Sequence, residues 1–345
     1  MSAPPAATRI TILGAGAWGT ALAAALARNG LAVTLWGRDA DNLEYIRERR
    51  ENRRYLPGLE LPEGIDATTD LGRAIAAGDT ILYATPSHTF REMLRAVADM
   101  EPTAARERPF LWACKGVEPD THALMHEVVA AECGQAPPHG LVSGPSFARE
   151  VVAGLPTALT VASTDADFAG QAVGWFHGAG MRAYSNPDVV GVELGGALKN
   201  VLAIACGATD GLGFGANARA AVITRGLAEL MRLGHAMGGL PRTFMGLAGM
   251  GDLVLTCTDD QSRNRRLGLA LARGLSPEAA CAEIGQAVEG LRTARAAKAL
   301  AARHGVDMPI VEQVHAVLYE GLAPAAAVQA LLDRDPKEEI PHDGA

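Results

Sequence analysis

Metal-ligand spacing is missing from this sequence. Its five cysteines, Cys114, Cys133, Cys206, Cys257 and Cys281, are scattered, with no Cys-x-x-Cys pair and no Cys/His cluster. A zinc site groups its thiolates and imidazoles closely, and a disulfide framework patterns an even set. The sequence therefore reads as a reduced, cytoplasmic protein with no metal. Positive charge is also in short supply: 31 Lys and Arg face 39 Asp and Glu, a formal net charge of −8. That excludes general binding to nucleic acid or an anionic membrane, but leaves room for one basic pocket for a small anion. Internal repeats are absent. So is the apolar-poor composition of a disordered chain, since 48% of the residues are hydrophobic.

Long uncharged runs are scarce as well. The exception is Ile10–Ala27, 18 residues without a charge. Glycines interrupt it, and its order is strand, glycine turn, alanine-rich helix. That order argues against a signal peptide or a membrane span, and no other segment competes for a membrane.

What is present is a β–α rhythm. A chain of 345 residues predicts two domains. Residues 2–8 read as a loose leader and the last ten as a polar tail. Between them, strands are expected at Arg9–Leu13, Ala32–Trp36, Thr80–Ala84, Phe110–Cys114, Gly140–Ser143, Ala158–Ala162 and Arg182–Ser185. Helices are expected between them, among others at Trp18–Asn29 and Phe90–Met100. Such alternation implies a mainly parallel sheet covered on both faces. After Asn186-Pro187 only helical patterns remain, beginning with Val189–Cys206, and glycine-rich stretches at 207–215 and 246–251 punctuate them. The fold class is thus an α/β Rossmann-type domain over residues 8–188, followed by an all-α domain over residues 189–335.

The first strand runs into Gly14-Ala15-Gly16-Ala17-Trp18-Gly19, a G-x-G-x-x-G fingerprint that opens a helix. Gly14 permits the tight turn, Gly16 the approach of a pyrophosphate, and Gly19 the close packing of helix on strand. The next strand ends in Trp36-Gly37-Arg38-Asp39. An acid there binds the ribose 2′-hydroxyl of NAD, whereas an arginine accepts the 2′-phosphate of NADP. Arg38 follows the glycine directly, so NADP(H) is preferred and NAD(H) stays open. The alternative is that Arg38 is a solvated loop residue.

In open α/β sheets the ligand lies beyond the carboxyl ends of the strands. Lys115, the Gly144–Ser146 turn and, more weakly, His88 stand there. Lys199 lies in an apolar helix whose other charge is Glu193. It either snorkels to water or works as an acid/base, since desolvation brings a lysine pKa toward neutrality. The run Gln261-Ser262-Arg263-Asn264-Arg265-Arg266 suits an oxyanion, or is a solvated helix start. Asp252 either orients a lysine or caps a helix.

Taken in order, these motifs resemble the bacterial NAD(P)-dependent glycerol-3-phosphate dehydrogenases. The resemblance runs from Ile12 to about Leu332. It rests on Ile12–Ala21, Trp112–Gly116, Ser143–Ala148, Leu194–Val201, Gly211–Arg219, Gly249–Leu253 and Gln261–Arg266. It implies reduction of dihydroxyacetone phosphate to sn-glycerol 3-phosphate for phospholipid synthesis, with Lys199 as proton donor, or acceptor in reverse. It implies that Lys115, Gly144, Ser146, Lys199, Asp252, Ser262, Arg263 and Asn264 hold the substrate. It also implies that Gly14, Gly16, Ala17, Trp18, Gly19, Arg38, Tyr55, Lys115, Ala148, Arg263, Ala287 and Glu289 line the cofactor. The family habit is a homodimer. Two departures stand out: Ala17 replaces a frequent serine, and Ala287 replaces a larger aliphatic. Two other readings remain at this stage: a related reductase of hydroxy acids or ketopantoate, and a non-catalytic NADP(H) sensor.

Overall fold

A computed structural model describes residues 8–335. The polar tail expected over the last ten residues lies outside them, as does the leader apart from Thr8. Eight strands form one sheet: β1 Arg9–Leu13, β2 Ala32–Trp36, β3 Ile65–Thr68, β4 Thr80–Tyr83, β5 Phe110–Trp112, β6 His139–Ser143, β7 Thr157–Ala162 and β8 Met181–Asn186. Their order is β3-β2-β1-β4-β5-β6-β7-β8, and every pairing is parallel except β6 with β7. Among the described residues no named strand follows Asn186. The chain is therefore a Rossmann-type α/β domain followed by helices alone.

The sheet is buried on both faces, which is why its strands read as apolar runs. On one face Leu22 and Leu26 of the Ala17–Arg28 helix pack with Ile12 and Leu35. On the other, Phe90, Trp112 and Val128 form a second core. The run Ile10–Ala27 thus divides into a buried strand, a turn and a buried helix. One strand went unforeseen: β3 is four residues long and contains Asp66, too short and too polar to show a pattern. It pairs with β2 at the sheet edge. Because β1, β2, β4, β5 and β6 run in parallel, the turns after Leu13, Trp36, Tyr83, Trp112 and Ser143 gather along one rim of the sheet.

The helical part is built around Val189–Gly211, capped at its start by Asp188, which accepts from Gly191 N at 2.8 Å. This helix runs five residues past the expected end at Cys206. Gly207, read from sequence as a breaker, is a packing contact instead. A Cβ there would lie 2.1 Å from the Arg265 carbonyl oxygen, and one at Gly268 would lie 2.1 Å from that of Ile204. The helix Arg263–Ala272 therefore crosses the central helix backbone to backbone, and only glycine allows it. The central helix is also long and apolar enough to cross a membrane, with mean hydropathy 1.6, although the sequence offered no such competitor. In the fold 89% of that window is buried in protein.

Candidate active site

The site is assembled from the turns on the rim of the sheet and from three helices. At the first turn Gly14 has φ +129°, and a Cβ there would fall 2.6 Å from the Ala84 carbonyl oxygen. At Gly19 a Cβ would meet the Gly14 carbonyl oxygen at 1.9 Å. Gly16 differs: a Cβ there would meet nothing within 4 Å, so its missing side chain leaves a cradle over the helix start. Gly16 is the N-cap of Ala17–Arg28 and no side chain caps that helix, so its first N–H groups remain for an anion. These residues fit a dinucleotide pyrophosphate. Ala17, Trp18, Tyr55 and Ala148, from three segments, are partly buried against the core on this face of the sheet.

The second cluster centres on Asp252. Leu247–Gly251 forms a single π turn, a rare element concentrated at functional sites. It delivers Asp252, 1% exposed, to the front of the central helix. Lys199 Nζ donates to Asp252 Oδ1, and Lys115 Nζ donates to Oδ2 at 2.8 Å. One carboxylate thus bridges two ammonium groups that lie 84 positions apart (199 − 115). The capping role considered for Asp252 is not realised, since Gly251 occupies the cap position. Lys115 also donates to the Gly144 carbonyl oxygen at 3.0 Å, which Ser146 Oγ meets at 2.9 Å. Gly144 holds φ +135° against Leu159, and this aims its carbonyl into the cluster.

Lys199 is 8% exposed, too buried to snorkel. Burial pushes its ammonium down from the ordinary lysine range to about 8, with Asp252 opposing and Lys115 adding to the shift. An amine in that range can both give and take a proton near neutral pH. Around it runs a relay of amides. Asn200 Nδ2 donates to the Lys115 carbonyl oxygen at 3.3 Å, Asn264 Nδ2 to Asn200 Oδ1 at 2.8 Å, and Gly290 N to Asn264 Oδ1 at 2.9 Å. The relay locks four segments around the lysine pair.

Ser262 caps Arg263–Ala272 by accepting from Arg265 N at 3.2 Å. Arg265 turns away and pairs with Asp210. Arg263 forms no ion pair or hydrogen bond among the described residues, and burial pushes its guanidinium below the ordinary value while Glu289 counters. A half-buried guanidinium of that sort has its fork of N–H groups unengaged by protein and is chemically suited to an anion. Glu289 accepts from Ser87 Oγ at 3.2 Å, so the Glu289–His304 helix start meets the rim. Trp18 joins the two clusters, its ring centroid 5.7 Å from Lys115 Nζ.

Not every expected residue joins. Arg38 and Ala287 are exposed and stand outside both hydrogen-bonded clusters. His88 pairs with Arg292, away from Asp252. Two groups escaped the sequence reading. Thr256 Oγ1 donates to the Asp252 backbone oxygen at 2.6 Å, one helical turn on, a spacing the sequence does show. Asn52 is wholly buried and donates to Ala15 O at 3.1 Å and to Thr20 Oγ1 at 2.8 Å, bracing the fingerprint turn. It sits past a charged helix with no pattern to mark it.

Comparison with known proteins agrees along the whole chain. The N-terminal profile of the NAD-dependent glycerol-3-phosphate dehydrogenases matches residues 9–169, and the C-terminal profile matches residues 188–329. The chain is 58% identical over 340 residues to glycerol-3-phosphate dehydrogenase (NAD(P)+) of Thioalkalivibrio sulfidiphilus, covering 99% of this chain and 100% of that one. It is 50% identical to the enzyme of that name from Pseudoalteromonas translucida, covering 97% and 99%. Among solved structures, glycerol-3-phosphate dehydrogenase from Coxiella burnetii superposes with a TM-score of 0.90 at 46% identity, covering 95% of this chain and 99% of that one.

Proposed function

The chain belongs to the NAD-dependent glycerol-3-phosphate dehydrogenase family, and from that membership we propose how its residues divide the reaction. It is an NAD(P)-dependent oxidoreductase that interconverts dihydroxyacetone phosphate and sn-glycerol 3-phosphate. Residues 8–188 hold the nucleotide and residues 189–335 hold the substrate. The bound nicotinamide supplies the hydride for the ketone carbon. Lys199 gives its proton to the ketone oxygen as that oxygen gains charge, and in reverse its neutral amine takes the hydroxyl proton. Asp252 holds both lysines, so that Lys199 is aimed while Lys115 offers a second donor. Arg263 grips the substrate phosphate with its fork of N–H groups, assisted by Ser262 and the free N–H of Asn264. Binding at the phosphate thereby fixes the carbonyl at a distance. The one observation that carries this reading is the Asp252 carboxylate shared by Lys199 and Lys115.

On the nucleotide side, Gly14, Gly16 and Gly19 form the turn, and Ala17, Trp18, Tyr55, Ala148, Ala287 and Glu289 line the cofactor. Arg38 faces the 2′ position, which favours NADP(H) over NAD(H). A homodimer in the cytoplasm, feeding phospholipid synthesis, completes the reading. Mixing the purified chain with NADPH and dihydroxyacetone phosphate should consume NADPH absorbance and yield glycerol 3-phosphate. Turnover with ketopantoate or a hydroxy-acid pair, but none with the triose phosphate, would overturn it. Sedimentation velocity reads the dimer.

A further inference from the structure

The cofactor preference rests on more than Arg38. Gly37 lies so close to the fingerprint turn that a Cβ would come within 2.8 Å of Ala15 Cβ. Arg38 and Asp39 therefore stand side by side next to the turn, one a cation and one an anion. The Asp39 carboxylate is engaged at both oxygens. Oδ1 accepts from Asn42 N at 3.1 Å and caps the Ala40–Arg49 helix, while Oδ2 pairs with the Arg54 guanidinium. Arg38 has no such partner among the described residues. The Arg54 hydrogen bond also holds the Asp39 carboxyl below the ordinary carboxylate range, so it is an anion at neutral pH.

Arg54 is held where it can do this. Asn42 and Asn52, both buried, bond side chain to side chain at 3.0 Å. Asn42 Oδ1 accepts from Arg54 N at 3.4 Å, and Asn52 Oδ1 accepts from Tyr55 N at 3.2 Å. Through Asn52 the same pair reaches the Ala15 carbonyl of the fingerprint turn. The helix that Asp39 caps, the segment that carries Arg54 and the pyrophosphate turn are thus one hydrogen-bonded unit.

We propose that Arg54 is a specificity-determining residue, which holds the Asp39 carboxylate away from the ribose 2′ position so that Arg38 can face a 2′-phosphate. Without Arg54, Asp39 presents a free anion, which repels a 2′-phosphate and accepts from a 2′-hydroxyl. The inference rests on the NADP(H) reading above and extends it to a residue remote from the fingerprint.

The test is a binding cycle on the whole chain, measuring Kd for NADPH and NADH by fluorescence titration at low salt. The pair is exposed, with Arg54 side-chain exposure at 59% and Asp39 at 34%, so neither change endangers folding. Arg54→Ala should lower the NADPH-to-NADH preference about tenfold, as a carboxylate released to stand beside a phosphate dianion in water would. In the Asp39→Asn background, where the cap is kept and the charge removed, the same Arg54→Ala change should move the ratio less than about twofold. The shift should also shrink at high salt. An equal effect of Arg54→Ala in both backgrounds would show that Arg54 acts on the phosphate by its own charge rather than by holding Asp39, and would overturn the proposal, as would an unchanged ratio. A wild-type chain with equal Kd values would instead overturn the NADP(H) preference, while the change on Arg54→Ala would still report on Asp39.

Discussion

The nucleotide half of the cleft is made mainly of backbone, and the catalytic half mainly of side chains. Gly14, Gly16 and Gly19 contribute by what they lack, and they come from six consecutive positions, 14–19. Lys115, Lys199, Asp252 and Arg263 contribute charge, and they converge from the end of β5 and from three helices. The first half is closed by sterics: an added methyl at Gly14 or Gly19 strikes backbone. The second is held by electrostatics in a buried setting, where one carboxylate stabilises two ammonium groups. An extra atom should therefore break one half, and a missing charge the other.

The largest effect is expected from the missing charge at the centre. Lys199→Ala should lower kcat about 1000-fold, within the range of a lost general acid. The Kd for NADPH should stay within about twofold, because the fingerprint turn does not touch Lys199. A parallel loss of cofactor affinity would show that the halves are not separable. Next comes the added atom. Gly14→Ala imposes φ +129° on a residue with a side chain and drives its Cβ against Ala84. A strained residue of that kind costs about 1–3 kcal/mol. Cofactor Kd should rise about 30-fold, read by the same titration, while a mild fall in melting temperature accompanies it. An unchanged Kd would contradict the cradle.

Arg263→Ala tests the edge of the catalytic half. Loss of a charge-assisted contact to the substrate phosphate should raise KM for dihydroxyacetone phosphate about 30-fold. Arg263→Lys keeps the charge but not the fork, and should recover only part of it. Equal KM values in wild type and Arg263→Ala would place the phosphate elsewhere.

The contrast also explains what the sequence made legible. The glycine turn is local, and its strand–turn–helix setting shows in consecutive letters. Lys199 stood out because a cation in an apolar helix demands a reason. Its partner was legible only as one of two roles for Asp252, orienting a lysine or capping a helix, and the fold that joins residues 115, 199 and 252 decides for the first. The π turn that aims Asp252 looked like a glycine-rich break, and Gly207 looked like a helix end. Both readings failed for one cause: a glycine that allows close packing has the same letter as one that ends a helix. Asn52 was missed because a buried amide that satisfies four neighbours leaves no periodic trace.

The smallest expected effect is the most specific to the catalytic half. Burial and, less strongly, Lys115 lower Lys199 while Asp252 raises it, for a net value of about 8. Reduction needs the ammonium, so kcat/KM for dihydroxyacetone phosphate should fall as pH rises through about 8. Oxidation needs the neutral amine, so kcat/KM for glycerol 3-phosphate should rise through the same midpoint, each by about twofold at that pH. Asp252→Asn removes the charge that raises the lysine pKa, and both midpoints should move down together. Among the described residues Lys199 bonds to Asp252 and to no group on the nucleotide side, so the pH dependence of NADPH Kd should not follow its midpoint. Two profiles that turn in the same direction would assign the midpoint to a group other than Lys199, because only a group that donates in one direction and accepts in the other gives opposite slopes.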